Sequence, residues 1–297
     1  MKILLLGKNG QVGWELQRSL ATLGELVALD RNADGGLCGD LADVRGLRAT
    51  IQRVAPDIIV NAAAYTAVDK AESDKDLALR INATAVQAIA EEAAKLGSWL
   101  VHYSTDYVFD GTGSVAWNED DVLAPVNYYG QTKLMGEQAI VSSGCKHLIM
   151  RTSWVYGARG NNFAKTMMRF AADRNELNVI ADQFGAPTGA DLIADVTAVS
   201  IRQALADPQV AGIYHLAATG FTSWHEYATL VIEQGKASGL SMQVQSVNPI
   251  PTAQFPTPAH RPLNSRLNTE KLRKTFSIHL PNWRSGVTRM LKEVLEK

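Results

Sequence analysis

Ile3-Leu4-Leu5-Leu6-Gly7-Lys8-Asn9-Gly10-Gln11-Val12-Gly13 is the stretch that decides the fold. Four apolar residues ended by glycine read as a short strand buried on both faces. Gly7, Gly10 and Gly13 form a G-x-x-G-x-x-G turn that opens a helix over residues 11–23. Val12, Leu16, Leu20 and Leu23 lie along one face of that helix. Glycines let the backbone turn tightly and approach a pyrophosphate. The helix N-terminus adds unpaired N–H groups and the positive end of its dipole. The last glycine lets the helix pack closely on the sheet.

Outward from this unit the alternation repeats. Residues 25–29 read as a second strand, and 44–54 as a helix that stops at Ala55-Pro56. A third strand is expected over 57–60 and a long helix over 74–96, closed by Gly97. Residues 98–103 form a fourth strand, 129–141 a helix and 146–150 a fifth strand. Repeated strand-then-helix units imply a parallel sheet covered on both faces. The expected class is α/β: a Rossmann-type doubly wound parallel sheet with a smaller C-terminal α/β substrate region. The pattern weakens past residue 155. Helices are expected over 162–174 and 191–206, and residues 212–216 read as a strand that rejoins the main sheet. Residues 248–262 hold five prolines and read as a structured loop or docking surface, not a strand or helix interior. Two short helices follow, near 269–275 and over 283–296. Residues 1–154 with 190–220 are assigned to cofactor binding, and 155–189 with 221–297 to the substrate.

The chain has 297 residues, 46% of them hydrophobic and 20% charged, which excludes a disordered protein. With 29 basic and 30 acidic residues the net charge is −1, which argues against a nucleic-acid partner. Cys38 and Cys145 make neither a disulfide framework nor a zinc spacing, so a reducing compartment is expected. The apolar run before Gly7 is too short for a signal peptide, and no stretch is long enough to span a membrane. A cytoplasmic protein is the expectation.

Asp30 ends the second strand, where a carboxylate bonds the ribose hydroxyls of an adenosine. It repels a 2′-phosphate, whereas Arg31 beside it and Lys8 in the turn offset that repulsion. NADH and NADPH therefore both stay open. Tyr129 and Lys133 lie four apart on one helical face. An ammonium beside a phenol lowers the phenol's pKa and suits it to acid–base work near neutral pH. The fourth strand runs into Ser104-Thr105-Asp106-Tyr107. Ligands of open α/β sheets sit beyond the carboxyl ends of the strands. There Thr105 donates to a substrate carbonyl beside Tyr129. Asn61-Ala62-Ala63-Ala64-Tyr65-Thr66 ends the third strand with small residues that let a cofactor lie close. Arg261, in the proline-rich segment, suits either substrate phosphates or a surface salt bridge. His102, His147 and His215 show no metal spacing and read as structural or exposed.

The glycine turn, Asn61-Ala62-Ala63-Ala64, Ser104-Thr105-Asp106 and the Tyr129/Lys133 pair resemble the extended short-chain dehydrogenase/reductase family. The resemblance runs through essentially the whole chain. It includes Val68-Asp69-Lys70-Ala71-Glu72, Arg151-Thr152-Ser153-Trp154-Val155-Tyr156, Asp182-Gln183-Phe184-Gly185-Ala186-Pro187-Thr188 and Arg261-Pro262-Leu263-Asn264-Ser265-Arg266-Leu267. It implies hydride transfer from NAD(P)H to the C4 ketone of a dTDP-linked 6-deoxy sugar, with dTDP-L-rhamnose as product. Tyr129 would supply the proton, Lys133 hold the nicotinamide ribose and tune Tyr129, and Thr105 orient the carbonyl. By the same resemblance Gly7, Gly10, Gln11 and Val12 meet the pyrophosphate, Asp30 and Arg31 the adenosine ribose, and Asp40 with Leu41 the adenine. Ala63, Ala64 and Tyr65 follow the cofactor's middle. Val68, Asp69, Ser104, Thr105, Tyr107, Trp154 and Arg261 line the sugar-nucleotide pocket. Sugar-nucleotide 4,6-dehydratases of the family carry Asp-Glu where this chain has Asp106-Tyr107, so elimination lacks its base. An epimerase is disfavoured only by the closer match to reductase motifs. The alternative from another class is a non-catalytic, NADP-binding regulatory subunit like the β subunit of methionine adenosyltransferase. Part of the family dimerises, with Mg²⁺ at the interface. No residue is assigned to a metal here.

Overall fold

Five strands follow the predicted alternation: β1 (Lys2–Leu6), β2 (Glu25–Leu29), β3 (Ile58–Asn61), β4 (Trp99–Thr105) and β5 (Lys146–Thr152). With Gly212–His215 they make one parallel sheet, in the order Gly212–His215, β5, β4, β3, β1, β2. The chain runs from β1 outward to β2, then crosses back to β3 on the other side of β1. That reversal opens a crevice at the carboxyl ends of β1 and β3. In this computed structural model residues 1–295 are described, and Glu296, the expected end of the last helix, lies outside them.

Ile3 to Leu6 have no exposed surface, because helices cover both faces of the sheet. On one face α1 (Gln11–Leu20) packs beside helix Ala190–Ala206. On the other lie α2 (Val44–Val54) and helices Ala85–Leu96 and Tyr128–Ser143. The Asp43 side chain caps α2 by accepting from Gly46 N at 2.9 Å. Its end is Ala55, left-handed at φ 45°, just before Pro56. A third apolar cluster, around Tyr227, Val231 and Trp283, joins helices Phe163–Asp173, Trp224–Ala237 and Trp283–Leu295.

Three expectations need correction. The long helix over 74–96 is broken by a π-helical turn at Arg80–Thr84, between Lys75–Leu79 and Ala85–Leu96. Inside that turn, buried Asn82 accepts from Tyr65 N at 2.9 Å and donates to Tyr65 O and Thr132 Oγ1, both at 3.1 Å. The proline-rich segment is not free of strand. Ser246–Ile250 pairs in parallel with Glu176–Ile180, an unpredicted strand, and Pro249 is accommodated in this two-stranded edge. Helix Trp224–Ala237 was also not predicted. Its signal is the capping box Ser223-Trp224-His225-Glu226, in which Ser223 and Glu226 bond each other's backbone N–H.

Candidate active site

The glycine turn is shaped by close backbone approach. Gly7 takes φ +89°, and its N–H donates to Leu29 O at 2.8 Å. A Cβ on Gly7 would stand 2.7 Å from Ala63 N, and one on Gly13 would stand 2.0 Å from Gly7 O. No side chain other than hydrogen fits either place. Gly10 caps α1 without a side-chain hydrogen bond, so the first N–H groups of the helix face the crevice.

That crevice is a cavity of about 1050 Å³. Gly7, Gly10, Gln11 and Val12 line its floor, and Asp30, Arg31, Asp40 and Leu41 one end. Ala63, Ala64, Tyr65 and Val68 form the middle, and Ser104, Thr105, Tyr107, Tyr129, Lys133 and Trp154 the other end. The Asp30 carboxylate is held by Asn9 Nδ2 and by Asn32 N at 2.7 Å. Lys8 pairs with Asp34 at 3.5 Å, outside the lining. Asp69 and Arg261 also stand outside it. Arg261 Nη2 pairs with Asp69 at 2.8 Å, and Nη1 donates to Tyr107 Oη at 3.3 Å. Of the two expectations for Arg261, the salt bridge is the arrangement present.

Tyr129 enters the cavity from the first turn of helix Tyr128–Ser143. Asn127 caps this helix by accepting from Gly130 N at 2.8 Å, and donates to His260 O at 2.8 Å. A Cβ on Gly130 would meet Tyr107 O at 2.2 Å, so the helix lies directly against the turn after β4. The Tyr129 and Tyr107 rings meet edge to face at 5.7 Å. Thr105 Oγ1 accepts from Tyr107 N at 3.2 Å, donates to Asp106 Oδ1 at 3.1 Å, and meets the Tyr129 phenol.

The expected effect of Lys133 on Tyr129 is not found. Burial raises the Tyr129 pKa, and the Thr105 hydroxyl opposes this only in part. Lys133 Nζ instead donates to Tyr103 O at 2.6 Å and meets His102 Nε2 at 3.2 Å. Burial lowers its own pKa to about 8, with Glu137 opposing. Tyr129 is therefore a phenol at neutral pH, which suits a proton donor. His102, read as structural, is buried between Asn61 and Lys133, with Asn61 Nδ2 at 3.1 Å from its Nδ1.

Sequence reading missed Trp224, Thr152, Ser153 and Asp106 in the lining. Trp154 sits in the left-handed region at φ 49°, and its indole stacks on Trp224 at 3.6 Å between centroids. A Cβ on Gly185 would come within 2.7 Å of the Trp154 ring. Buried polar atoms face the cavity without partners: Ser104 Oγ, Thr152 Oγ1, Ser153 Oγ and Asp106 Oδ2. Orphaned groups of this kind are places where a polar ligand or ordered water can bond. Together with the glycine cradle and the open helix end, they fit a dinucleotide and a polar substrate. Among the described residues no cluster of three or more His, Cys, Asp or Glu could hold a metal ion, so the Mg²⁺ expectation has no support. Cys38 and Cys145 are free, and no described helix is long and apolar enough to cross a membrane.

The six-stranded parallel sheet, the glycine turn and the cavity that gathers Thr105, Tyr129 and Lys133 have the architecture of a Rossmann-type oxidoreductase. Residues 1–296 match the model of the RmlD substrate binding domain, and the chain belongs to that family. It is 56% identical to the dTDP-4-dehydrorhamnose reductase of Salmonella typhimurium, over 99% of this chain and 98% of that one. The crystal structure of a dTDP-4-dehydrorhamnose reductase from Clostridium acetobutylicum superposes with a TM-score of 0.88, at 34% identity and 100% coverage of both chains. One from Bacillus anthracis, in complex with NADP, gives 0.86 at 35% identity, covering 98% of this chain and 99% of that one.

Proposed function

We propose that the protein reduces the C4 ketone of dTDP-4-dehydro-L-rhamnose to dTDP-L-rhamnose, working in the cytoplasm on a dTDP-linked sugar. The observation that carries this reading is the meeting of Thr105 and Tyr129 in one cavity with the glycine turn. Residues 1–154 with 190–220 would hold the cofactor, and 155–189 with 221–297 the sugar nucleotide. The turn at Gly7 to Val12 would take the pyrophosphate, Asp30 and Arg31 the adenosine ribose, and Lys133 the nicotinamide ribose. A reduced nicotinamide dinucleotide supplies hydride when bound there. The Bacillus anthracis relative was solved with NADP, whereas Asp30 favours a free 2′-hydroxyl, so both cofactors belong in the assay.

The chain's own residues supply the rest. Thr105 and Tyr129 would clasp the ketone oxygen from one side. The phenol proton, held firmly by burial, passes to that oxygen as negative charge builds on it. The stacked indoles of Trp154 and Trp224 give the sugar a flat apolar wall and limit access of water. Positioning is the main task of this protein, because the hydride chemistry belongs to the cofactor. The intact Thr105/Tyr129/Lys133 set speaks against a purely regulatory NADP-binding subunit.

The test is nicotinamide absorbance with dTDP-4-keto-6-deoxy-L-lyxo-hexose, run with NADH and with NADPH. The expected outcome is cofactor oxidation and dTDP-L-rhamnose as product. Unchanged absorbance, with cofactor binding shown separately, would overturn the reading.

A further inference from the structure

Asp106 has no place in the chemistry above, yet it is 2% exposed and lines the cavity. It follows Thr105 directly, and the two side chains are bonded at 3.1 Å. Thr105 has one hydroxyl proton and two lone pairs. One lone pair accepts from Tyr107 N. If Asp106 is a carboxylate, the single proton of Thr105 points at Asp106 and not at a substrate. If Asp106 carries a proton, the bond reverses. Asp106 then donates, the second lone pair of Thr105 is filled, and the Thr105 proton turns to the cavity side, to the Tyr129 oxygen in the free protein and to the ketone when substrate is bound.

We propose that protonated Asp106 is the positioning residue that frees the hydroxyl proton of Thr105 for the substrate carbonyl. The surroundings favour the acid form. Burial pushes the Asp106 carboxyl up to about 7, with Ser265 and Thr105 opposing. Tyr107 on the same turn and Tyr129 on the facing helix are its titratable neighbours. Cations on the facing elements are engaged elsewhere: Lys133 with Tyr103 and His102, Arg261 with Asp69 and Tyr107. Ser265 is the polar neighbour from the C-terminal segment, but Oδ2 still lacks a well-formed hydrogen bond. No ion pair reaches Asp106 among the described residues, as a neutral acid requires.

This inference rests on the reductase reading, so its test has one arm that needs no turnover. Infrared difference spectra of the parent against Asp106→Asn should show a protonated carboxyl band at about pH 6 that disappears by about pH 8. In the rate arm, parental kcat/KM falls roughly five- to tenfold as pH rises through about 7, the worth of one hydrogen bond to the ketone. Asp106→Asn mimics the acid, since its amide donates to Thr105 at every pH. It should lose this limb and, at about pH 8, match or exceed the parent's kcat/KM by up to about tenfold, because no carboxylate then draws the Thr105 proton away. A missing carboxyl band at low pH overturns the proposal. So does a limb that survives in Asp106→Asn, or an Asp106→Asn kcat/KM at about pH 8 that falls below the parent's. A protein that binds cofactor but never turns over sinks the reductase reading, and the infrared band still decides the state of Asp106.

Discussion

The sheet side of the cavity is built largely from main chain: the turn at Gly7, the open end of α1 and the alanines after β3. The opposite side is built from large side chains: Trp154 stacked on Trp224, and Tyr107, which the Arg261–Asp69 pair holds from behind the lining. A wall of main chain recognises what every dinucleotide shares, a pyrophosphate and two riboses. A wall of side chains is suited to recognise one particular ligand and can be exchanged residue by residue. The two meet at Thr105 and Tyr129, which belong to neither wall alone.

Substitutions at the seam and on each wall should separate along this division. The largest effect is expected at the seam. Tyr129→Phe should slow turnover by at least about a hundredfold, the usual scale of a lost general acid, while cofactor and sugar affinities stay near the parent's. Single-turnover kinetics with separate binding titrations check this, and loss of cofactor affinity would place Tyr129 on the cofactor wall instead. Next comes the main-chain wall. Gly13→Ala puts a methyl against Gly7 O, with no flexible side chain to give way. The expected cost is about 1–3 kcal/mol of stability, with weakened cofactor binding. Thermal melts with and without cofactor measure both. The smallest effect belongs to the side-chain wall. Trp224→Ala removes half of the indole stack and should raise KM for the sugar nucleotide about tenfold, with the cofactor dissociation constant unchanged. An equal loss in both constants would show that the walls are not independent.

The same division explains what could be read from the sequence. The buried strands were legible because a parallel strand covered on both faces must be an unbroken apolar run. The glycine turn was legible because close backbone approach admits only one residue type. Trp224 was not, since nothing in the sequence says that two indoles 70 residues apart will stack. Its helix was announced only by the capping box at Ser223 and Glu226. Strand Ser246–Ile250 was hidden by Pro249, because an edge tolerates a residue that a sheet interior rejects. The state of Tyr129 was misread for a different reason. Spacing places Lys133 near the phenol, but only the fold shows that the ammonium bonds to Tyr103 O and that burial dominates.

The π-helical turn at Arg80–Thr84 has a consequence for that whole segment. One extra residue shifts the angular phase of a helix by about 100°. Leu77, Ala78 and Ile81 before or within the turn face Tyr65 and the Tyr128/Tyr129 end of helix Tyr128–Ser143. Ala85, Val86, Ile89 and Ala93 after it face the core under α2. A helix of constant phase presents one stripe to one neighbour. The inserted residue lets a single rod serve two, and Asn82 stands at the point where the stripe changes sides.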